Sequence, residues 1–362
     1  MPNMMEKVKI GGIKLSSKLF QLSLLNQDNF DSSISLLFKI LNKNQINMPF
    51  TSTTTNGGIS QACCCVSSDD ENRIRDIINK VENLKTQIQF INEVGMLSVF
   101  PHGSSLKILG LLLFAFGNAH IPIFGISSSI STLTFITDYG KLEKAITSLS
   151  NYFDLPASHA PFKSNISLET QEYYKKVRKS EKTMETAAVY WEPKIKTYGL
   201  QEAYNLSLLE LTIKPEQIAN RGLHINKLDK LGIHFKLVLF QYLSNQRLQI
   251  YLLFQRKWEE KVQKHIHKQL QMDGEEFIQI KSPVELIYFH GPHFGDRHGI
   301  ADTAFCALSN EKIPILVAGC SGSAIHLVLP ENGIQRAKLF LADILEVPQI
   351  LTLSNHLNKH GR

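Results

Sequence analysis

The sequence lacks any long hydrophobic run. Its most apolar stretch, residues 108–116, is far too short to span a bilayer, and the first ten residues have no apolar core of a secretory leader. Only five cysteines are present, and Cys63, Cys64 and Cys65 are consecutive. Because neighbouring side chains of a strand point to opposite faces, we interpret these three as small strand residues in a reducing compartment. We therefore expect a cytoplasmic protein with no membrane association.

The sequence also lacks a strong excess of either positive or negative charge, and it lacks the common catalytic motifs. The 39 basic and 33 acidic residues are spread along the chain, which argues against nucleic acid as a partner. No P-loop, dinucleotide fingerprint or HExxH motif occurs. Residues 319–323 (Gly-Cys-Ser-Gly-Ser) differ from a nucleophile elbow and predict a hairpin turn. His290, His293 and His298 near Asp296 leave a metal site open, but we favour no metal and no cofactor, since such a site needs three or four aimed ligands.

The sequence contains an internal repeat. Residues 20–25 (FQLSLL) and 204–209 (YNLSLL) share an aromatic residue, an amide and LSLL. Two weaker echoes follow in the same order, a Phe-(Pro)-His-Gly motif at 100–103 and 289–291 and an Ile-Pro-Ile motif at 121–123 and 313–315. The common order predicts a duplicated chain.

Each half contains two βαββαβ patterns. In the first, a strand at 19–25 precedes a helix at 32–41, the turn Asn56-Gly57-Gly58 joins two β-rich runs, and Asp69-Asp70 begins a second helix. The predicted boundaries are 1–92 and 93–155 for the first two units, 156–203 for a connector with a helix at 168–182, 204–280 and 281–349 for the last two units, and 350–362 for a tail.

Residues 296–301 (Asp-Arg-His-Gly-Ile-Ala) resemble the strand-to-helix signature of the ACT-domain family, with His298 in place of the usual proline. Residues 10–13, followed by Leu-Ser-Leu at 22–24, are similar to the lead-in before the first ACT strand of aspartate kinases, and residues 126–131 resemble their serine-rich turn. The resemblance implies an α+β fold of four ferredoxin-like βαββαβ (ACT-type) modules in two tandem pairs with side-by-side antiparallel sheets.

The resemblance also implies a function. Aspartate kinases carry a catalytic domain before their ACT domains, whereas an ACT-type unit begins at once here, so we expect no enzyme. We expect a non-catalytic regulatory protein that binds a small metabolite, an amino acid being favoured, at a module interface and modulates a partner enzyme. A ligand-free interaction or scaffold subunit, for example of an aspartate-kinase-type enzyme, stays open, as does a homodimer.

Four ACT-type modules without an enzyme resemble the cytosolic arginine sensors of animal nutrient signalling, which implies a ligand between the second and fourth modules. A glycine at a helix entrance lets backbone amides approach a carboxylate, although the same residues also suit a tight turn and a helix cap. Arg297 would meet the α-carboxylate and Asp296 the α-amino group, and Arg297 argues against arginine itself as the ligand. The predicted pocket places His102, Gly103, Ser104 and Ser105 opposite His293, Phe294, Gly295, Asp296, Arg297, His298, Gly299 and Ile300.

Overall fold

The computed structural model describes residues 7–26, 32–56, 59–156, 194–243, 246–270, 277–292, 294, 298–322 and 324–347. We refer to residues 7–156 as the first half and 194–347 as the second half. Helices and strands alternate in both. The helices are Ser32–Lys43 (α1), Glu71–Asn79 (α2), Glu82–Lys85 (α3), Leu106–Asn118 (α4), Leu142–Leu149 (α5), Ile218–Asp229 (α6), Glu259–Leu270 (α7), Ile300–Asn310 (α8) and Gly333–Ile344 (α9).

The strands range from two residues to fifteen. They are Val8–Lys9 (β1), Gly12–Leu15 (β2), Leu19–Asn26 (β3), Phe50–Asn56 (β4), Ile59–Ser67 (β5), Ile88–Phe100 (β6), Gly125–Ser128 (β7), Leu133–Asp138 (β8), Phe153–Asp154 (β9), Ile195–Lys196 (β10), Gly199–Ile213 (β11), Phe235–Tyr242 (β12), Leu248–Gln255 (β13), Phe277–His290 (β14), Val317–Ser321 (β15), Ala324–Pro330 (β16) and Leu345–Glu346 (β17).

One large antiparallel sheet organises the chain. Its thirteen strands follow the order β2-β6-β3-β5-β4-β15-β16-β14-β11-β13-β12-β7-β8, and a further pairing of β6 with β8 closes the sheet on itself. The two halves join where β4 pairs with β15 and where β7 pairs with β12. Two short parallel pairs, β1 with β9 and β10 with β17, lie outside this sheet.

Helices cover the outer face of the closed sheet. One hydrophobic cluster packs α4, α5, α6 and α7 against strands of both halves, and a second packs α1, α2, α8 and α9 in the same way. Two smaller clusters on the inner face are formed by residues of strands and their adjoining loops. The sheet therefore has a helical outer layer and an inner face on which opposite strands meet.

The alternation of strand side chains explains the three cysteines of β5. Cys64 belongs to the outer cluster with α1 and α2, whereas Cys63 and Cys65 belong to an inner cluster. All three are buried free thiols. Burial raises the pKa of the Cys64 and Cys65 thiols well above its usual range, so these two stay protonated and inert.

The α+β class and the antiparallel sheet are confirmed, and the elements lie close to the predicted ones. The predicted helix at 32–41 extends to Lys43, and the hairpin turn expected within 319–323 lies between β15 and β16. The connector differs, because β11 already begins at Gly199. The helix expected at 168–182 and the tail at 350–362 fall outside the described residues.

No helix within the described ranges is long and apolar enough to cross a membrane. In the same ranges, no group of three histidine, cysteine, aspartate or glutamate side chains is arranged to hold a metal ion.

Candidate functional site

The loop between β6 and α4 contains the first group of predicted site residues. His102 is 2% exposed, and its Nδ1 accepts a hydrogen bond from the Ser104 amide at 2.8 Å. Its Nε2 therefore carries the proton and donates to the Ser129 carbonyl at 3.0 Å. Burial lowers the pKa of His102, while the Ser129 carbonyl acts in the opposite direction. Both ring nitrogens are thus engaged in holding the loop.

The start of α4 holds a carboxylate of the chain itself. Asp229, the last residue of α6, accepts hydrogen bonds at Oδ1 from the Ser105 hydroxyl at 3.0 Å and the Lys107 amide at 2.9 Å. Ser105 also caps the helix by accepting from the Ile108 amide. A helix start favours an anion, and here Asp229 supplies it. The anion grip predicted at Gly103 to Ser105 is therefore already occupied.

The second predicted group lies where α8 begins. Gly299 is the N-cap residue of α8 and adopts a left-handed conformation with φ of 85°. Phe294 is buried and packs edge-to-face on Phe289, and Ile300 is buried in the first turn of the helix. His293, Gly295, Asp296 and Arg297 fall outside the described residues.

A small polar network joins the start of α8 to the end of α1. Asn42 donates through Nδ2 to Asp302 Oδ2 at 2.8 Å, and its Oδ1 lies 3.0 Å from His298 Nδ1. The Cys306 thiol donates to Asp302 Oδ1 at 3.1 Å. Burial and this hydrogen bond raise the pKa of Cys306 to about 12, while the positive charge of Lys39 acts the other way.

Close packing at this junction requires a glycine. A Cβ atom on residue 299 would collide with the amide group of Asn42, and the positive φ disfavours any other residue. Phe38 of α1 and Phe305 of α8 pack edge-to-face at 5.2 Å beneath the polar network. Asp302 is 8% exposed and lies in the first turn of α8. The junction thus combines a helix start, a buried carboxylate and a neutral amide.

The two predicted groups face different partners. Phe235 donates its amide to the Ser104 carbonyl, and Ser105 pairs with His234, so the first group contacts the segment after α6. His298 and Gly299 contact Asn42 of α1. The second and fourth predicted units do meet, but at β7 and β15, where the Ser321 hydroxyl reaches the Ser127 carbonyl at 3.5 Å.

Two residues of the site were missed from the sequence. Asp302 stands one helical turn after the Gly299 entrance, so its place beside the motif was an available signal. Asn42 had none, because it lies 260 residues from Asp302 in the chain.

Comparison with known proteins identifies a solved structure with a similar fold. Neither a protein-family model nor a curated protein matches the sequence. Among solved structures, an aspartate kinase from Synechocystis is similar with a TM-score of 0.73 and 14% identity, over 92% of this chain and 56% of that one. The regulatory subunit of aspartate kinase from Thermus thermophilus matches 40% of this chain and 99% of its own, with a TM-score of 0.36 and 15% identity. The chain thus has the fold of part of an aspartate kinase and spans little more than half of that kinase's length.

Proposed function

We propose that this chain is a non-catalytic regulatory protein of four ACT-type modules, which binds a small amino acid where α1 meets α8 and modulates a partner enzyme. The similarity in fold to the aspartate kinase of Synechocystis supports the proposed ACT-type modules. The site and its chemistry are argued from the contacts of this chain.

The neighbour order of the strands supports four modules. The sheet divides into four groups of four neighbouring strands. In each group, the second strand in spatial order is the one that precedes the first helix of the module, and the two strands of the hairpin lie next to it. Because β6, β11 and β14 each extend through two groups, the modules are connected without a break in the sheet. The groups are β6-β3-β5-β4, β2-β6-β8-β7, β14-β11-β13-β12 and β11-β14-β16-β15.

A difference between two corresponding helix starts carries the proposal for the site. At α4, the carboxylate of Asp229 occupies the backbone donors. At α8, the facing residue is Asn42, whose neutral amide offers no carboxylate from α1 to the first backbone amides, and the oxygens of the nearby Asp302 carboxylate accept from Asn42 and Cys306. A ligand that carries both an anionic and a cationic group therefore suits α8, where the anion meets the backbone amides and the cation meets Asp302, whereas an anion is excluded at α4.

The residues around α8 suit the two charged groups of an amino acid. The α-carboxylate would accept from backbone amides at the helix start, with Arg297 as a second donor in this proposal. The α-ammonium would pair with Asp302, replacing the Asn42 amide that now donates to it. Because Asn42 belongs to α1, the ligand would loosen one contact between α1 and α8 while adding its own.

This exchange offers a way to regulate a partner. A ligand shifts an equilibrium between two arrangements only by its difference in affinity for them. The junction of α1 and α8 joins the two halves, so the ligand would favour one relative arrangement of the halves. A partner enzyme that binds one arrangement better would then respond to the amino acid.

A thermal-shift screen against the twenty amino acids tests the proposal. A ligand that binds only the folded state adds about 2.7 kcal/mol of stability at a hundredfold excess over its Kd. We expect one amino acid, or a chemically related group, to raise the melting temperature. Asp302→Asn should abolish the shift, because the amide retains an acceptor for Asn42 but removes the charge that the ammonium needs.

Asp229→Asn is the matched control, since it makes the same change at the other helix start, and it should retain the shift. Arg297→Ala should weaken binding by removing the second carboxylate donor. A chain that shows no shift with any amino acid would contradict the ligand proposal and favour a ligand-free interaction subunit. A shift that survives Asp302→Asn would place the ligand elsewhere.

A further inference from the structure

A cavity lies on the inner face of the sheet, on the opposite side from the α1–α8 junction. It has a volume of about 520 Å³ and is bounded by β3, β5, β6 and the end of β12. Ser23, Gln61, Cys63, Gln89 and Gln241 line it, and the described residues of its wall include no charged side chain. The volume lies in the range of small-molecule sites.

The strand register identifies the corresponding place in the second half. Ser23 pairs with Cys63 on one side and with Gln89 on the other. In the second half, Tyr251 corresponds to Cys63, because each lies four residues before the end of its strand, β13 or β5, and each strand leads directly into a short 3-10 turn. Glu210 pairs with Tyr251 and Gln279 and therefore corresponds to Ser23, although the repeat of residues 20–25 at 204–209 would place Ser207 there. The cross-strand partner of Cys63 on β4 corresponds in the same way to the partner of Tyr251 on β12.

Large side chains fill that corresponding place. Tyr251 is 2% exposed, and burial is the main reason that the pKa of its hydroxyl is strongly raised. Gln249 donates to Glu210 Oε1 at 2.5 Å, and Lys281 lies 3.8 Å from Glu210 Oε2. In the first half, Lys281 corresponds to Ile91, which also lines the cavity. Replacement of a tyrosine and an ion pair by Cys63, Ser23 and Ile91 is what leaves the space.

The polar groups of the cavity are neutral amides and hydroxyls. Gln241 is held rigidly, since its Oε1 accepts from the Thr54 hydroxyl at 2.8 Å and its Nε2 donates to the Ser52 hydroxyl at 3.1 Å. Gln61 and Gln89 add amides on the β5 and β6 walls. The amides of Gln61 and Gln89 each carry a donor and an acceptor side by side, which matches another amide-like group. A charged ligand would lose its hydration without gaining a counter-ion here.

We propose that this cavity binds a small uncharged molecule that carries a carboxamide or a similar adjacent donor and acceptor. Ile91 and Leu243 provide apolar wall for the rest of the ligand. The site is separate from the α1–α8 junction, and neither proposal depends on the other.

Three probes of similar size and different charge test the proposal: benzamide, benzoate and benzylamine. Saturation-transfer NMR on the full chain should show binding of benzamide, with benzoate and benzylamine at least tenfold weaker. Cys63→Tyr introduces the side chain that fills the corresponding place in the second half, and it should abolish benzamide binding. Cys63→Ser is the matched control, which leaves the volume open and should retain binding.

Gln61→Glu gives a second test that does not depend on folding of the tyrosine variant. A carboxylate on this partly exposed wall should weaken benzamide at least tenfold and make benzylamine the preferred probe. Equal binding of the three probes to the wild-type chain would overturn the proposal. Benzamide binding that persists unchanged in both Cys63→Tyr and Gln61→Glu would overturn it as well.

Discussion

His326 lies buried on the inner face of the sheet among other rings. It is 3% exposed, and its imidazole stacks on the Tyr288 ring with centroids 5.2 Å apart. Burial lowers its pKa to about 4, with smaller contributions from nearby His102 and His290. Protonation of His326 would place a charge where these three residues supply no anion, so the folded state keeps the ring neutral.

Acid should therefore destabilise the protein through His326. The unfolded chain binds a proton below its ordinary pKa of 6.5, whereas the folded chain does so only near 4. Stability is then fully present above pH 6.5 and falls by up to about 3 kcal/mol as the pH drops to 4. Urea unfolding at half-unit pH steps measures this slope. His326→Gln should flatten it, while His234→Gln, at an exposed position, should leave it unchanged; equal slopes in all three proteins would contradict the prediction.

Individual site residues divide into those that the sequence could reveal and those that it could not. The glycine at the entrance of α8 was predictable, because a glycine directly before a helix pattern suits a tight turn and a close approach of the backbone. Asp229 and Asn42 were not, since each acts on a helix start more than a hundred residues away in the chain. Their roles follow from helix packing, which a local pattern does not encode.

At the scale of the elements, three glycines allow α4 and α6 to approach closely. A Cβ on Gly222 of α6 would lie 2.5 Å from the Gly110 carbonyl of α4, and a Cβ on Gly110 would meet the Gly222 carbonyl at the same distance. Gly117 is similarly close to the amide of Ala219. Backbone is in direct contact with backbone here, so neither helix can yield by a rotamer change.

Gly222→Ala should destabilise the protein even though alanine is the better helix former. The overpacked contact costs about 1–3 kcal/mol, against a gain in helix propensity of about 1 kcal/mol. Urea denaturation measures the net loss. Gly199→Ala is the control, because a Cβ at Gly199 meets nothing within 4 Å. An equal midpoint for the two variants would show that the helices separate freely.

The helices and strands were easier to predict than the pairing of each strand with its neighbours in the sheet. Helix starts such as that of α1 followed from periodicity, and the alternation of Cys63, Cys64 and Cys65 followed from strand geometry. The start of β11 was missed because its first residues, 199–203, pair with β14, whereas its pairing with β13 begins only at Leu206. The alternation of side chains along a strand does not change where a second neighbouring strand begins to pair with it, so the pattern does not mark that point.

The two halves form one structure at the scale of the whole molecule. β4 and β15 pair over five residues, and both large hydrophobic clusters contain side chains from each half. Separation of the halves would expose these clusters and leave four strand edges, those of β4, β15, β7 and β12, without partners. Covalent linkage is therefore a minor part of what holds them together.

Cleavage of the chain between the halves should leave them associated. A protease site placed between the halves, within residues 157–193, allows this test. After cleavage, we expect one species on size exclusion and one cooperative urea transition. The uncleaved variant is the control. Two separately eluting fragments would show that the linkage, and not the shared sheet, maintains the assembly.

The short parallel pairs bring the two ends of each half together. Val8 lies opposite Phe153, and Ile195 lies opposite Leu345, so each half leaves the sheet close to where it enters. The path of either half is therefore a loop whose ends meet at one point on the surface. The order in which the halves follow each other along the chain is consequently immaterial to the sheet, and a permuted chain with residues 194–347 placed first has the same set of pairings open to it.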